Sequence, residues 1–294
     1  MINLSFIKSF VTLSKIGSFK ATAQKLFITQ PAVSQHIQSI EKNLNVKLFE
    51  RQGKKVFLTT GGKIFLPYAE NILQQYQEAK IQTSETTNQY NGIIRVATIY
   101  SIGLYKLQPL IREFLKKYPQ VDIHLEYHQN SLIYEMIANR SIDFGLVAFP
   151  YKRKDIQFNI FAQEDMILVQ SPQRRIFPKK NITLSLLDQK KFIILDPKTP
   201  TQESINHFLR VNNIKIHVVH AYDNIDTLKN AVLLGMGCAI VPKNTVTREL
   251  KEGSLEMIHV DKLTAFKRPL GLIYPKGRIF TKSLQMFYET IVQA

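Results

Sequence analysis

The sequence has almost no sulfur chemistry and no long hydrophobic run. Cys238 is the only cysteine among 294 residues, so neither an intrachain disulfide nor a cluster of thiolate metal ligands can form. No segment approaches the roughly 18 consecutive apolar residues of a membrane-spanning helix. Lys8 and Lys15 interrupt the first apolar runs before they reach the length of a signal-peptide core. These absences exclude a secreted disulfide scaffold and predict a cytoplasmic protein without a membrane anchor.

Acidic residues are also scarce. Asp and Glu number 23 against 39 Lys and Arg, which gives a formal net charge of +16 and an isoelectric point near 9.7. This balance favours a polyanionic partner, either nucleic acid or an anionic membrane surface, although a generally basic proteome would produce it too. The chain is 45% hydrophobic and long enough for at least two domains with packed cores.

The first 58 residues have a short-range helical pattern. Phe6, Phe10 and Leu13 repeat at +4 and +3 spacing, and Ser18 is a candidate N-cap for a second helix. Pro31 suits the first turn of a third helix. The apolar residues that share one face of this third helix are Val33, Ile37, Ile40 and Leu44. The segment VKLFERQGKKVFLTT follows, and its alternating bulky residues predict a small hairpin, or wing.

The opposite face of the third helix carries mostly uncharged hydrogen-bonding groups. At about 100° per residue, this face shows Pro31, Ser34, Gln35, Gln38 and Lys42. Two short helices, a tight turn and such a helix are the parts of a helix-turn-helix, whose second helix enters the major groove of DNA. A Gln side chain can bond adenine at two points, so this face is suited to reading bases. The alternative is a solvated polar face beside a Lys-rich hairpin.

Basic residues concentrate next to this helix. Between positions 42 and 63 six bases oppose one acid, Glu50, for a local net charge of +5. The six are Lys42, Lys47, Arg51, Lys54, Lys55 and Lys63. Phosphate contacts set affinity and base contacts set specificity, so we predict that the wing region meets phosphates while the uncharged face reads bases. His36 lies beside the core face and is predicted to be a packing or capping residue.

A longer helical pattern runs from Thr60 to about Asn88. Its apolar residues form a narrow seam of the kind that pairs two helices, and they are Phe65, Ala69, Ile72, Tyr76 and Ala79. Pro67 lies inside this pattern and is expected to kink or loosen the first two turns. The segment TSETTNQYNG, residues 83–92, is typical of a polar hinge between domains.

Beyond Gly92 the pattern alternates between strands and helices. IIRVATI and VDIHLEY are strand-like, and LQPLIREFLKKYP between them is an amphipathic helix. The later segments KFIILD, ESINHFLRVNN, IKIHVVHAY and TLKNAVLLGMG continue the alternation. It predicts an α/β architecture with mainly parallel strands. Ligands in such folds usually bind outside the carboxyl ends of the strands.

The segment FKATAQKLFITQPAVSQHIQSIEKNLNVKLFERQGKKVFLTTGGKIFLPYAENIL resembles the N-terminal module of the LysR-type transcriptional regulators. It has AxxL, TQPAVS, IxxIExxL and LFER elements at that family's spacing, and DTLKNAVLLGMGCAIVP resembles the C-terminal part less specifically. The resemblance covers the whole chain and implies an α+β multidomain fold. A winged helix-turn-helix would occupy residues 1–58, a long linker and dimerisation helix 59–90, and a two-lobed α/β effector domain, similar to periplasmic binding proteins, 91–294. Lobe I would hold about 91–161 and 267–294, and lobe II about 162–266.

The resemblance implies a sequence-specific regulator, activator or repressor, that binds an interrupted dyad in double-stranded promoter DNA. Residues at or near bases would be Gln30, Pro31, Ser34, Gln35 and Gln38. Residues near phosphates would be Thr29, Arg51, Lys54 and Lys55. Residues pairing the linker helices of a dimer would be Phe65, Ala69, Ile72 and Tyr76, and two dimers commonly form a homotetramer in this family.

Two positions depart from the family pattern. Asn45 stands where the family usually has a glycine after the recognition helix, and Asn tolerates the left-handed backbone expected there. Gly61-Gly62 replaces a more helix-prone pair, so the linker helix is expected to start later or to fray.

The resemblance also implies a small-molecule effector between the two lobes, with no cofactor and no metal. The matching residues are Ser101, Ile102, Asn130, Ala148, Thr199, Pro200, Thr201, Asn224 and Ile225. Ser, Thr and Asn at such places are also ordinary helix caps and turn formers. Hydroxyls, amides and helix N-termini together suit a small carboxylate or phosphate. Because none of these positions is Lys or Arg, a mono- or dicarboxylate is favoured over a highly charged ligand.

Three other classes of protein fit the sequence less well. An enzyme is disfavoured because the pairs His124/His128 and His217/His220 lie in strand-like segments where neither pair makes an easy metal site, and because no P-loop, GxSxG elbow or complete dinucleotide loop occurs. A non-specific nucleoid-type protein would not need the uncharged reading face. A solute-binding protein would need a signal peptide and no DNA module.

Overall fold

The computed structural model describes residues 3–52, 55–84, 92–178 and 181–293. The chain divides into an N-terminal compact unit within residues 1–89 and a C-terminal compact unit made of residues 90–138 and 142–294. None of the helices within the described residues combines the length and the apolar composition of a membrane span.

The N-terminal unit consists of three short helices, a hairpin and a long helix. Its elements are α1 (Leu4–Ile16), α2 (Phe19–Leu26), α3 (Gln30–Leu44), β1 (Phe49–Gln52), β2 (Lys55–Leu58) and α4 (Thr60–Ser84). The strands pair antiparallel, with Phe49 opposite Leu58. The predicted wing is therefore confirmed, while its tip at residues 53–54 lies outside the described residues, as does most of the predicted hinge, at residues 85–91.

Side-chain caps fix the helix starts that the sequence predicts. The Ser18 hydroxyl accepts a hydrogen bond from the Ala21 amide, and the Thr29 hydroxyl accepts one from the Ala32 amide, with Pro31 in the first turn. Asn45 ends α3 in the left-handed region, at φ 52°. The predicted caps are thus confirmed. Ser18 accepts a hydrogen bond from a free amide at the start of α2, and Asn45 adopts the left-handed backbone that ends α3.

The core of the N-terminal unit forms where these helices meet. Val33, Ile37 and Ile40 on α3 are buried as predicted, and α1 supplies buried Phe10 and Leu13. The expectation that Leu44 shares this core is wrong, because the last residue of α3 is 38% exposed.

The long helix α4 begins at Thr60, so the prediction of a later start is wrong. Gly61 and Gly62 lie in the first turn of this helix because neighbouring parts of the chain leave no room there for a side chain. A Cβ at Gly62 would lie 2.1 Å from the Leu48 carbonyl oxygen, and one at Gly61 would lie 2.5 Å from Val46 Cγ1. Thr59 also accepts a hydrogen bond from the Gly62 amide at 3.0 Å, which caps the first turn. Pro67 lies within this continuous helix.

The C-terminal unit alternates strands with helices. Its strands are β3 (Gly92–Thr98), β4 (Val121–Tyr127), β5 (Phe144–Ala148), β6 (Ile156–Gln170), β7 (Asn181–Ile182), β8 (Lys191–Leu195), β9 (His217–Tyr222), β10 (Ala239–Pro242), β11 (Glu256–Val260) and β12 (Lys267–Pro275). Its helices are α5 (Tyr100–Ile102), a π-helical turn (Gly103–Leu107), α6 (Gln108–Lys117), α7 (Asn130–Ala138), α8 (Pro200–Val211), α9 (Ile225–Leu233), α10 (Thr247–Glu252) and α11 (Lys282–Val292).

The strands form one large sheet and one small one. The large sheet has the order β4-β3-β5-β12-β6-β11-β7, with β10 also paired to β6, while β8 and β9 pair with each other. β3 runs parallel to β4 and β5, and β8 runs parallel to β9. β12 is antiparallel to both neighbours, and β6 is antiparallel to β10, β11 and β12. The predicted mainly parallel arrangement is therefore wrong for β6 and β12.

Two lobes are visible in the hydrophobic packing of this unit. One set of buried side chains surrounds β3, β5 and the end of β12 and includes Val96, Phe144 and Phe287. The other includes Phe192 and Val241. β6 runs through both, because residues 156–165 pair with β12 and residues 166–170 pair with β10 or β11. We keep the names lobe I and lobe II for these two regions, and the residue limits of the domains stay predictions.

Candidate functional site

The polar face of α3 points away from the core of its own unit. Gln30, Pro31, Gln35 and Gln38 are exposed, and Ser34 is half-buried. Apolar packing of the opposite face holds this row in place. The face is therefore available for hydrogen bonds to a partner.

His36 lies between this face and the core. Its Nδ1 is 2.7 Å from Ser9 Oγ, and its ring stacks on Phe6 with centroids 4.5 Å apart. Ser9 Oγ donates to the Ser5 carbonyl, so His36 Nδ1 is the donor in the first contact. Burial lowers the pKa of His36. The prediction of a packing residue is confirmed.

Glu41 connects α3 to the hairpin. Its Oε1 accepts hydrogen bonds from the amides of Leu48 at 2.9 Å and Phe49 at 3.3 Å, and its Oε2 pairs with Lys47 at 2.7 Å. This buried carboxylate fixes the start of the wing relative to the reading helix. The side chains of Arg51 and Lys55, and all of Lys54, lie outside the described residues.

Phe27 is a prominent surface residue that the sequence analysis missed. It ends α2 in the left-handed region at φ 56°, directly before the predicted reading helix, and its side chain is 96% exposed. A bulky residue with positive φ is uncommon. A fully exposed aromatic ring also adds no buried apolar area to the free protein. Only its exposure in three dimensions could have revealed it.

Two of the four residues predicted to pair α4 with a second chain pack against the core of their own unit, and the pairing itself stays a prediction. Ala69 is fully buried, and Phe65 packs edge-on against Phe10 with ring centroids 5.0 Å apart, because α4 closes the core of its own unit with this side. The apolar residues that α4 exposes at a spacing of four are Ile64, Tyr68, Ile72 and Tyr76, at 63%, 62%, 45% and 51%. This exposed row keeps Ile72 and Tyr76 and adds two residues.

The C-terminal unit has a cleft of about 230 Å³ between its two lobes. Lobe I contributes Ile99, Tyr100, Ser101, His128, Gln129, Asn130, Ser131 and Tyr151. Lobe II contributes Leu195, Asp196, Lys198, Thr199, Pro200, Thr201, Asp223, Asn224, Ile225 and Pro242, and Arg268 comes from the crossing strand β12. Seven of the nine predicted effector residues therefore line one cleft.

The other two predicted effector residues lie behind the cleft. Ile102 is fully buried and Ala148 is 1% exposed, both in the core of lobe I. Ala148 acts only through its backbone, since its carbonyl oxygen accepts a hydrogen bond of 2.9 Å from Asn130 Nδ2. The prediction that these two side chains face the effector is wrong, because they point into the apolar side of the sheet.

Several helices begin at the cleft. α7 begins at Asn130, α8 follows the N-cap Thr199, and α9 follows the N-cap Asn224. The Asn224 side chain accepts from the Thr227 amide at 2.9 Å. Helix N-termini present free amide groups and a partial positive charge. Their convergence makes the cleft favourable for an anion.

Arg268 is the central side chain of the cleft, and the sequence analysis missed it. It is 2% exposed, and its three nitrogens bond to three partners: Nη2 to Ser101 Oγ at 2.7 Å, Nη1 to Glu164 Oε2 at 2.6 Å, and Nε to Thr201 Oγ1 at 3.2 Å. Burial lowers the pKa of Arg268, against the opposing effect of Glu164, and arginine stays protonated in proteins. One buried cation thus joins a hydroxyl of lobe I to a hydroxyl of lobe II.

The charges around the cleft nearly balance. Glu164 neutralises Arg268, and the lining holds Lys198 together with Asp196 and Asp223. A ligand of high negative charge would meet two carboxylates, so the lining suits a small anion of low charge. In the described residues no group of three or more His, Cys, Asp or Glu side chains could hold a metal ion.

Comparison with known protein families agrees with both parts of this architecture. Residues 4–63 match the model described as bacterial regulatory helix-turn-helix protein, lysR family. Residues 87–294 match the LysR substrate binding domain. The chain belongs to the LysR family of transcriptional regulators, with a DNA-binding N-terminal domain and a C-terminal domain that binds a small-molecule effector.

Individual relatives span the full length. The chain is 31% identical over 285 residues to the probable RuBisCO transcriptional regulator of Gracilaria tenuistipitata var. liui, covering 95% of this chain and 92% of that one. Full-length OxyR from Pseudomonas aeruginosa has the same fold with a TM-score of 0.77, at 20% identity, covering 99% and 98%. The regulatory domain of Synechocystis PCC6803 CcmR, solved in complex with 2-PG, has a TM-score of 0.63, at 20% identity, covering 69% and 97%.

Proposed function

We propose that this regulator is controlled by a small carboxylate bound in the cleft beside Arg268. The observation that carries the proposal is the placement of Arg268 between Ser101 and Thr201, where several helices begin. A carboxylate there would accept hydrogen bonds from hydroxyls and from helix N-terminal amides. The CcmR domain of the same fold was solved with 2-PG, which supports a small ligand in this kind of domain.

The DNA-binding residues belong to the same proposal. Gln30, Pro31, Ser34, Gln35 and Gln38 would approach bases, because α3 presents them on one face. Thr29, Arg51, Lys54 and Lys55 are proposed to approach phosphates on sequence grounds. The division between uncharged reading groups and charged anchoring groups matches how proteins separate specificity from affinity on DNA.

A dimer through α4 would place two reading helices on successive major grooves of an interrupted dyad. The exposed apolar row of Ile64, Tyr68, Ile72 and Tyr76 supports this pairing, since a continuous apolar stripe on a helix usually has a partner. We propose a dimer of dimers as the full assembly, acting in the cytoplasm where its DNA is, with no cofactor and no catalytic step. Effector binding would change the assembly only if the effector binds the two arrangements with different affinity.

The experiment is a screen of small mono- and dicarboxylates against the full-length protein bound to DNA sites recovered by genome-wide mapping. The readout is the change in the DNA footprint on adding each acid. Ser101→Ala and Thr201→Ala are expected to lose the response while keeping basal DNA binding. Thr290→Ala, which removes a hydroxyl that donates to the Met286 carbonyl on α11, is the matched control. If both cleft variants respond like the parent protein, the effector binds elsewhere.

A further inference from the structure

The two lobes also meet one helical turn beyond the cleft, at Tyr105. Tyr105 belongs to the helical run of lobe I that starts beside Ser101, yet its ring packs against the buried apolar cluster of lobe II. Asp226 and Lys229 belong to α9 of lobe II, which starts beside Asn224 at the cleft. The contact therefore joins two helices whose first turns both line the cleft.

The polar part of this contact is a closed network. Lys229 Nζ donates to Tyr105 Oη at 2.8 Å, and Tyr105 Oη donates to Asp226 Oδ1. Lys229 Nζ also pairs with Glu249 Oε1 at 2.9 Å, donates to the Thr245 carbonyl at 3.3 Å and lies 5.2 Å from the centre of the Tyr105 ring. Lys229 is 9% exposed, so its ammonium depends on these partners in place of water.

The protonation states match the geometry. Burial raises the pKa of Tyr105, and its hydrogen bond to Asp226 adds to this, so the phenol keeps its proton and can donate. Burial acts to lower the pKa of Lys229, but its bonds with Tyr105 and Glu249 outweigh that effect and raise it. The Lys229 ammonium is thus the charged donor of the network, and the neutral Tyr105 phenol accepts from it and donates to Asp226.

The backbone around Tyr105 is unusual. Tyr105 is the middle residue of the π-helical turn Gly103–Leu107, which separates α5 from α6. Such wide turns are rare and frequently occur at functional sites, because they change the direction in which the following side chains point. Gly103 permits the turn to pack closely, since a Cβ there would lie 2.4 Å from Tyr127 Cε1.

We propose that Tyr105 is a positioning residue of the effector cleft, which holds the first turn of α9 at a fixed distance from Ser101 and Arg268. Its hydroxyl acts through Asp226 and Lys229 and touches no ligand. This inference rests on the proposed function, because spacing across the cleft matters only if a ligand contacts both lobes. It also makes Tyr105 a polar tie between the lobes that lies outside the cleft lining.

The test measures the distance between the lobes in the full-length protein without any ligand. Spin labels are placed at Arg112→Cys on α6 and Asn230→Cys on α9, two exposed positions, while buried Cys238 stays unlabelled. Excess unlabelled chain is added so that only distances within one chain contribute to the double electron-electron resonance signal. Tyr105→Phe keeps the ring and removes only the hydroxyl. We expect it to increase the population of separated lobes at least about tenfold, because it removes the two hydrogen bonds of the hydroxyl to charged partners.

Two further variants decide the interpretation. Tyr288→Phe removes a phenol that accepts from Asn159 Nδ2 at 2.6 Å within lobe I, and it is expected to leave the distance unchanged. Lys229→Met is expected to separate the lobes, and adding Tyr105→Phe to it should have a smaller effect than Tyr105→Phe alone, because the bond between the two residues is already lost. A Tyr105→Phe distribution equal to that of the parent, or full additivity of the two variants, would overturn the proposal. Because no ligand is used, this outcome is independent of whether a carboxylate binds the cleft.

Discussion

Arg268 and Glu164 face each other across β12 and β6, at the place where these two strands pass between the lobes. Their side chains are each 2% exposed and form an ion pair of 2.6 Å between Nη1 and Oε2. A buried ion pair offers little net stability over an apolar pair of similar volume, so we expect the role of Arg268 to lie in its remaining hydrogen bonds. Those bonds reach Ser101 and Thr201 on the two sides of the cleft.

Removing one partner of this pair should destabilise the C-terminal unit strongly. Glu164→Leu leaves the buried Arg268 charge uncompensated, at a cost of about 3–5 kcal/mol in the free energy of unfolding. The double variant Glu164→Leu with Arg268→Met should recover most of that stability but lose the effector response. Chemical denaturation measures the first quantity, and the DNA footprint measures the second. A stable double variant with a normal response would show that Arg268 has no part in ligand recognition.

Gln35→Ala is expected to change base preference at one position of the DNA site by about 1–3 kcal/mol. The reason is that an exposed amide on α3 can bond a base edge at two points. Lys54→Ala, chosen from the sequence, should weaken binding to all sequences similarly. Competition binding with a library of single-base variants of the mapped site measures both effects. An unchanged base profile for both Gln35→Ala and Gln38→Ala would rule out α3 as the reading helix.

Phe27→Asn should separate the stability of the protein from its DNA affinity. Asn tolerates positive φ better than Phe, so the melting temperature should stay equal or rise. DNA affinity should fall, by up to about 1.5–3 kcal/mol if the ring is buried against the duplex. Leu234→Asn removes an apolar side chain that is 70% exposed in the C-terminal unit and should leave DNA affinity unchanged. Equal DNA affinities for Phe27→Asn and the parent would show that the Phe27 ring does not contribute to DNA binding.

Tyr68→Glu and Ile72→Glu should each weaken the dimer, because a charge on the exposed row of α4 would have to be desolvated on pairing. Sedimentation equilibrium of the full chain measures the effect. Ile279→Glu, at a position that is 73% exposed outside α4, is the control and should sediment like the parent. If all three variants form the parent assembly, the row on α4 is not the pairing surface.

His36 should make the N-terminal unit sensitive to acid. Its folded-state pKa is lowered by burial, so the unfolded chain binds the proton more readily. The stabilising contribution is present above the ordinary histidine pKa of about 6.5 and is lost as the pH falls through that value towards the lowered one. Amide exchange of α1 and α3 in the full chain should therefore speed up as the pH falls below about 6.5, beyond its intrinsic pH dependence.

The matched variants for this measurement are His36→Gln and His207→Gln. His36→Gln should remove the pH dependence of the local stability, and the exposed His207→Gln should retain it. The same pH dependence in both variants would assign it to another group.

Local sequence patterns predicted most of the N-terminal unit. Ser18 and Asn45 were predictable because caps depend on a residue and its immediate neighbours. The faces of α4 were not, since Phe65 and Ala69 fit a helix-pairing seam equally well inside a core or between two chains. The helical pattern from Thr60 predicted the start of α4, whereas the glycine pair wrongly suggested a later start, because its fit depends on the nearby Val46 side chain and Leu48 carbonyl.

Local sequence patterns also predicted part of the candidate cleft. Ser101, Thr201 and Asn224 follow strands and begin helices, which is a local signal. Arg268 carries no such signal, because the register of β12 against β6 places it beside Ser101 and Thr201, both far away in sequence. Ile102 adjoins the cleft residue Ser101 in sequence and Ala148 is the last residue of β5, but both side chains face the core of lobe I.

The most direct measurement of the central claim is the ratio of affinities of the full-length protein for a genome-mapped site and for random DNA at one salt concentration. A regulator that reads bases through α3 should prefer its site by about a thousandfold or more. A basic protein that binds only phosphates would give a ratio near one, and that result would contradict the account.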